Sequence, residues 1–104
     1  MHRLFRIEHK EDGCGPYQMF RKYGTIHTIH GKVVHQGDEY PTPYEDTIGR
    51  HTEPGELCGF VSKESMLNWF TVEELKGLIK LGYKVRIYHV QPIAIGEKQC
   101  IFKP

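Results

Sequence analysis

The sequence predicts an α+β protein, a mostly antiparallel sheet of about four to six strands with two consecutive short helices packed on one side. Three observations carry this expectation. An alternating run opens the chain at residues 3–9, two helical patterns follow one another between Ser62 and Lys80, and two strand-like runs close the chain at Tyr83–Val90 and Lys98–Phe102. Strands at both ends with the helices grouped between them favour α+β over an alternating parallel architecture.

In the first strand, Arg3, Phe5 and Ile7 alternate with Leu4, Arg6 and Glu8, so its two faces differ. Asp12-Gly13 and Gly15-Pro16 then supply turn chemistry. Residues 17–23 read either as a short helix or as an extended piece. Thr25-Ile26-His27-Thr28-Ile29-His30 alternates, and with Gly31-Lys32 as turn and Val33-Val34-His35 as return it reads as a hairpin. Pro41, Pro43, Gly49, Pro54 and Gly55 mark a long ordered loop with one helical turn near Tyr44–Ile48.

The second half is more regular. Leu57–Val61 reads as a short strand. Ser62 suits the N-cap of a helix that carries Met66, Leu67 and Phe70 on one side. Thr71-Val72-Glu73-Glu74 has the form of a capping box, and Val72, Leu75, Leu78 and Ile79 repeat at helical spacing. Lys80 complements the helix dipole in the last turn, and Gly82 is the expected left-handed terminator. In the strand that follows, Tyr83, Val85 and Ile87 share one face, and Lys84, Arg86 and Tyr88 the other. Residues Pro92–Gly96 lead to the last strand.

Composition bounds the function. The chain of 104 residues fits one domain, 1–104. A net charge of +1 argues against a specific nucleic acid or an anionic membrane as the main partner. The first residues alternate charged and apolar and do not read as a signal peptide, and no run is long enough to span a membrane. Cys14, Cys58 and Cys100 are odd in number and far apart, which fits reduced thiols in a cytoplasm better than a disulfide framework.

Seven histidines invite a metal reading. On a helix, the spacing of His27 and His30 converges two imidazoles; on the expected strand they point to opposite faces. With no Cys-x-x-Cys and no His-Glu-x-x-His, no metal site is expected and the histidines read as surface residues. Cys14 lies between Gly13 and Gly15, but no partnering histidine is visible for it; Cys58 and Cys100 read as core. The Gly13–Pro16 stretch lacks the spacing of a nucleotide-binding loop, so no cofactor is expected. Trp69-Phe70 reads as core. More suggestive are Arg6, Arg86 and Tyr88 on strand faces, with Tyr17, Tyr40 and Tyr44 in loops. Guanidinium groups grip phosphate and aromatic faces stack on bases. The competing reading is a solvated sheet face with snorkelling side-chain stems.

Several strings carry a resemblance: Arg6-Ile7-Glu8, Gly15-Pro16-Tyr17, Cys58-Gly59-Phe60-x-Ser62, Trp69-Phe70, Glu74-Leu75, Gly82-Tyr83, Ile87-Tyr88-x-Val90 and Gln99-x-x-Phe102-x-Pro104. The set resembles a group of small proteins encoded by tailed bacteriophages and prophages. The region of about 24–56 matches poorly and looks like a variable insert or long loop. The resemblance implies the cytoplasm of an infected bacterium and an accessory role against host processes or defences. The chain also resembles the split-sheet core of ADP-ribosyltransferases, with Arg6, Ser62 and the Glu97-Lys98-Gln99 turn at the matching places. It departs from that pattern where Gln99 replaces the catalytic glutamate and where Ser62 lacks a neighbouring Thr-Ser.

These readings lead to one expectation and two alternatives. The expectation is a non-enzymatic anti-defence protein that binds and sequesters a small nucleotide-derived signalling ligand through Arg6, Tyr17, Ser62, Arg86, Tyr88 and Gln99. A homo-oligomer with its pocket at the interface would supply the several contacts that tight binding needs. The first alternative is a nucleotide-processing enzyme, either ADP-ribosyltransferase-like or a phosphodiesterase using His27 and His30. The second is a protein inhibitor of a host factor, docking through the acidic, aromatic 36–56 loop.

Overall fold

A computed structural model describes residues 2–17, 23–32, 34–36 and 39–104. Among these, the elements run in the order β1 (Arg3–His9), α1 (Ile26–His30), β2 (Leu57–Gly59), α2 (Lys63–Trp69), α3 (Val72–Lys80), β3 (Tyr83–His89), β4 (Pro92–Ile95) and β5 (Cys100–Phe102). β1 and β3 form an antiparallel pair with Arg6 opposite Arg86, and β2, β5 and β4 form a second antiparallel sheet in that order. Phe5 and Phe60 exchange two backbone hydrogen bonds of 2.8 Å and link the two sheets. Gly59 makes this link possible, because a Cβ there would stand 2.8 Å from the Phe5 carbonyl oxygen and 2.8 Å from the Phe102 ring. The α+β class with antiparallel strands is as the sequence predicts.

The consecutive helices form where their caps place them. Ser62 Oγ accepts from Ser65 N at 3.1 Å and opens α2. Thr71 Oγ1 accepts from Glu74 N at 3.1 Å, and Glu74 Oε1 accepts from Thr71 N at 2.9 Å, which completes the capping box of α3. Gly82 follows the helix at φ +98 and donates its N–H to Ile79 O at 3.0 Å. The helices bury Met66, Trp69, Phe70 and Leu78 against Phe5, Ile7 and Tyr83, while Leu4, Tyr88, Cys100 and Phe102 form a second cluster. Both faces of β1 are therefore buried. No helix among the described residues is long and apolar enough to cross a membrane.

Two local expectations are corrected. Residues 26–30 are helical and not the first arm of a hairpin. Thr25 caps the helix: its hydroxyl accepts from His27 N, Thr28 Oγ1 accepts from Thr25 N, and Gly31 at φ +68 ends it. A threonine cap and a left-handed glycine at that spacing outweigh the β-branched alternation. β4 is an additional strand, made by the hairpin that Gly96–Gln99 closes onto β5; Gly96 N donates to Gln99 O at 2.8 Å. On β3 the apolar pair Val85 and Ile87 is exposed, whereas Tyr88 on the other face is buried. The expected helical turn near Tyr44–Ile48 is present, with Asp46 N bonded to Thr42 O at 2.9 Å. The choice between helix and extended chain at 17–23 falls on residues 18–22, and the expected return arm begins at Val33; these lie outside the described residues, as do Gly37 and Asp38 of the loop.

Candidate functional site

A cavity of about 340 Å³ opens where the long loop crosses the sheet and the end of α2. Arg6 of β1, the Gly15–Tyr17 turn, Cys58–Phe60 and Trp69-Phe70 form its floor and sides. His35 and the Tyr40–Pro43 segment form its roof, and Gln99 lies at one end. Aromatic rings dominate the lining. Tyr40 stacks on His35 at 4.2 Å with planes 4° apart, and Trp69 stands edge-on to Tyr40 at 5.3 Å.

His35 organises one wall. Its backbone lies in the left-handed region at φ +59, unusual for a residue with a side chain, and the side chain is 3% exposed. Trp69 donates its indole N–H to Tyr17 Oη at 2.6 Å, and Tyr17 in turn donates to His35 Nδ1. His35 donates from Nε2 to Glu74 Oε2 at 2.8 Å, and His30 donates to the same oxygen at 2.7 Å. Burial pushes the Tyr17 phenol far above its ordinary pKa. Burial also lowers the His35 pKa, against the pull of Glu74. Burial works to raise the Glu74 pKa, but the Thr71 N–H and the two imidazoles outweigh it and hold the carboxyl below its usual range. The phenol therefore stays protonated near neutral pH and the imidazole neutral, so this chain of bonds positions the wall and does not supply an activated nucleophile.

The roof is fastened at its other end by Asp46. Its buried carboxylate accepts four backbone N–H groups: Thr47 at 2.8 Å and Glu97 at 2.7 Å on Oδ1, Lys98 at 3.0 Å and Gln99 at 3.1 Å on Oδ2. Burial alone would raise its pKa, and the four donors together lower it. Gln99 donates its side-chain amide to Pro41 O at 2.6 Å, and Lys98 Nζ reaches Glu39 O at 3.3 Å. The loop is thereby stitched to the β4–β5 turn.

The structure divides the residues that the sequence singled out. Arg6, Tyr17 and Gln99 line the cavity together. Arg6 donates to Cys58 O at 2.9 Å and Gly13 O at 3.3 Å, and its Nε lies 3.4 Å from Glu8 Oε1. Arg86 and Tyr88 do not line it. Tyr88 donates to Glu8 Oε1 at 2.6 Å, Arg86 bonds Glu8 Oε2 at 3.3 Å, and the Arg86 guanidinium lies 4.6 Å over the Tyr88 ring. Ser62 is also outside the lining and serves as the helix cap, donating to Ser65 Oγ at 3.0 Å. His27 and His30 diverge, since His27 Nδ1 accepts from Val34 N at 3.2 Å while His30 goes to Glu74.

Glu8, Asp46 and Glu74 are the functional-looking residues that sequence reasoning missed, and His35, which it counted among the histidines and set aside as a surface residue, has a side chain 3% exposed. The capping box flagged Glu74 for a local role only; nothing in the linear pattern marks Glu8 or Asp46. Among the described residues, no group of three His, Cys, Asp or Glu is arranged to hold a metal. In the 36–56 loop, Asp46 faces inward and Glu56 is paired to Arg50 at 2.9 Å, so part of the loop's acidic character is spent internally.

Residues 1–104 match a family model described as "Bacteriophage T4 Y00F protein". No curated protein and no solved structure matches the chain. The phage resemblance therefore stands at the level of a family, and the ADP-ribosyltransferase resemblance has no support from these comparisons.

Proposed function

The chain belongs to the bacteriophage T4 Y00F family, and on that premise we propose that it is a phage accessory protein that binds a small nucleotide-derived ligand in the cavity beneath Tyr40–Pro43, acting in the host cytoplasm. The observation that carries this reading is a cavity walled, among the described residues, by Tyr17, Tyr40, Phe60, Trp69 and Phe70 with one guanidinium, Arg6, in its lining. Aromatic faces and a charged hydrogen-bond donor are the two things a base and its anionic substituent require. Binding without turnover fits the wall chemistry, because Tyr17 and His35 are engaged with each other, Trp69 and Glu74. Sequestration of an immune signalling nucleotide is the role that this binding would serve in a phage protein. In this reading Arg6, Tyr17 and Gln99 contact ligand, Arg86 and Tyr88 act through Glu8, and Ser62 fixes the start of α2. A homo-oligomer belongs to the same proposal. Its support is β3, which pairs with β1 alone among the described residues and exposes Val85 and Ile87.

Trp69 is the single tryptophan of the chain and forms part of the cavity wall, so its emission is a built-in reporter. Titration with a nucleotide panel should shift or quench that emission, and ligand released from purified protein by denaturation should be recovered intact. Emission indifferent to every nucleotide would overturn the reading; a converted ligand would favour the enzyme alternative.

A further inference from the structure

We infer that the cavity takes one planar heteroaromatic ring system bearing a single anionic group, a ligand of mononucleotide size, and not a dinucleotide. This inference rests on the nucleotide-binding reading above and narrows it by charge, space and shape.

Charge is the first constraint. Among the described residues, Arg6 is the one Lys or Arg in the lining, and the Glu8 carboxylate 3.4 Å from its Nε already offsets part of its charge. The other arginine on the same sheet face, Arg86, sits on the far oxygen of Glu8 with its side chain 52% exposed, outside the cavity. Two enclosed phosphates would share one partly compensated guanidinium, and an enclosed charge without a partner is strongly disfavoured. A single anionic group places its charge at that one guanidinium, whereas the two phosphates of a dinucleotide lie apart and one of them would be left without a cation. The guanidinium has five N–H groups, and two of its hydrogen bonds, to Cys58 O and Gly13 O, hold it in place while leaving donors for one anion.

Space is the second constraint. The volume of about 340 Å³ lies at the small end of the roughly 300–1,000 Å³ range of ligand pockets. It suits one base with a short substituent. The roof resists enlargement, because His35 is tied to Glu74 and Tyr17 on one side and the Asp46 and Gln99 bonds fix the other. Shape is the third. Tyr40 already stacks on His35 and meets Trp69 at a right angle, so at most one face of Tyr40 is left to receive a base, where a dinucleotide would need two such platforms.

The test is a titration of the 104-residue chain, read by Trp69 emission and calorimetry. The probes are the four ribonucleoside 5′-monophosphates, the four 3′,5′-cyclic monophosphates, the parent nucleosides, inorganic phosphate, cyclic di-AMP and cyclic di-GMP. At least one mononucleotide should bind about tenfold or more tighter than its nucleoside and than either dinucleotide, a gap of about 1.4 kcal/mol. Arg6→Gln should erase the preference for the mononucleotide over its nucleoside. Arg6→Lys, which keeps the charge, should restore part of it, and circular dichroism on both variants separates lost binding from lost fold. If a dinucleotide binds as tightly as or tighter than every mononucleotide, the size and charge inference falls while the binding reading stands. If no probe binds, both fall.

Discussion

Replacing Asp46 by asparagine removes one oxygen and almost nothing else. Oδ1 of the native carboxylate holds Thr47 N and Glu97 N, and Oδ2 holds Lys98 N and Gln99 N, at 2.7–3.1 Å. An amide can keep one of these pairs. Its NH₂ then faces the other pair donor to donor. Each hydrogen bond to a charged acceptor contributes about 1.5–3 kcal/mol, so losing two removes about 3–6 kcal/mol before any rescue by water. Glu97 and Lys98 are exposed, so water can reach that turn and the net loss should be about 2–4 kcal/mol. Against a total stability of about 5–15 kcal/mol for a small domain, Asp46→Asn should remain folded but with a clearly lower urea midpoint. The pH dependence sharpens the test. The folded pKa of Asp46 is depressed, so its contribution is fully present above the unfolded value of about 3.9 and is lost as pH falls through the folded value. The gap between native protein and variant should therefore be full at pH 7 and shrink below about pH 4. A loss under about 1 kcal/mol at pH 7, or a gap that persists unchanged in acid, would refute the claim that this carboxylate holds the roof to the hairpin turn.

Other substitutions probe the opposite fastening and the join between sheets. Glu74→Gln keeps an acceptor for Thr71 N but turns an NH₂ toward the Nε2–H groups of His30 and His35; thermal unfolding should show a loss of about 2–4 kcal/mol, and an unchanged midpoint would argue against the pairing. Tyr17→Phe strands the Trp69 indole N–H and His35 Nδ1, which should destabilise by about 1–3 kcal/mol and alter Trp69 emission in the free protein; emission identical to the native protein would place the indole elsewhere. The depressed His35 pKa means that the unfolded chain binds more protons than the folded one once pH drops below about 6.5, so stability should decline with acidification from there. His35→Phe should flatten that part of the profile, and an unaltered slope would remove His35 as its source. Gly59→Ala drives a Cβ to 2.8 Å from the Phe5 carbonyl oxygen, backbone that cannot swing aside, and should cost about 3 kcal/mol or more; normal expression and an unchanged midpoint would contradict the close approach.

Local signals in the sequence proved reliable. Ser62 and the Thr71–Glu74 box start their helices, Gly82 terminates the second, and the alternation of residues 3–9 gives β1. Where two local signals competed, pattern alone misled. Thr25–His30 is β-branched and alternating, yet Thr25, Thr28 and Gly31 also spell a capped short helix, and its packing against α3 favours that choice. β4 was hard to see because it opens on Pro92 and spans four residues, too few for a periodic signal. The candidate site was partly visible. Arg6, Tyr17 and Gln99 meet at one cavity, although they are distant along the chain. Arg86 was placed on the correct face, but its destination depended on the register that sets it opposite Arg6, with Glu8 beside them both. No linear pattern reveals which strand pairs with which.

Three buried or nearly buried carboxylates explain most of what was missed, and they share a physical cause. Acidic side chains are exposed by default, so Glu8, Asp46 and Glu74 read as surface residues or, for Glu74, as a local cap. Each instead gathers donors that would otherwise be free to act elsewhere: Glu8 takes Arg86, Tyr88 and one edge of Arg6, Asp46 takes the N–H groups of the β4–β5 turn, and Glu74 takes two imidazoles. The long loop is ordered over the sheet by the last two. The functional consequence lies in what remains after they are served. Of the cations and histidines that made phosphate binding or metal chemistry plausible on composition, the cavity retains among the described residues one guanidinium, Arg6, and one imidazole, His35, which is tied to Tyr17 and Glu74, beside a set of aromatic rings. In the proposed ligand-binding reading, affinity there would come chiefly from stacking and from burial of a flat ring, with Arg6 choosing the ligand's orientation. It follows that added salt should weaken ligand binding only modestly, as expected for one compensated charge, whereas truncating Tyr40 to alanine should weaken it severely; a steep salt dependence with a silent Tyr40→Ala would reverse that ranking and point back to the exposed Arg86 face as the site.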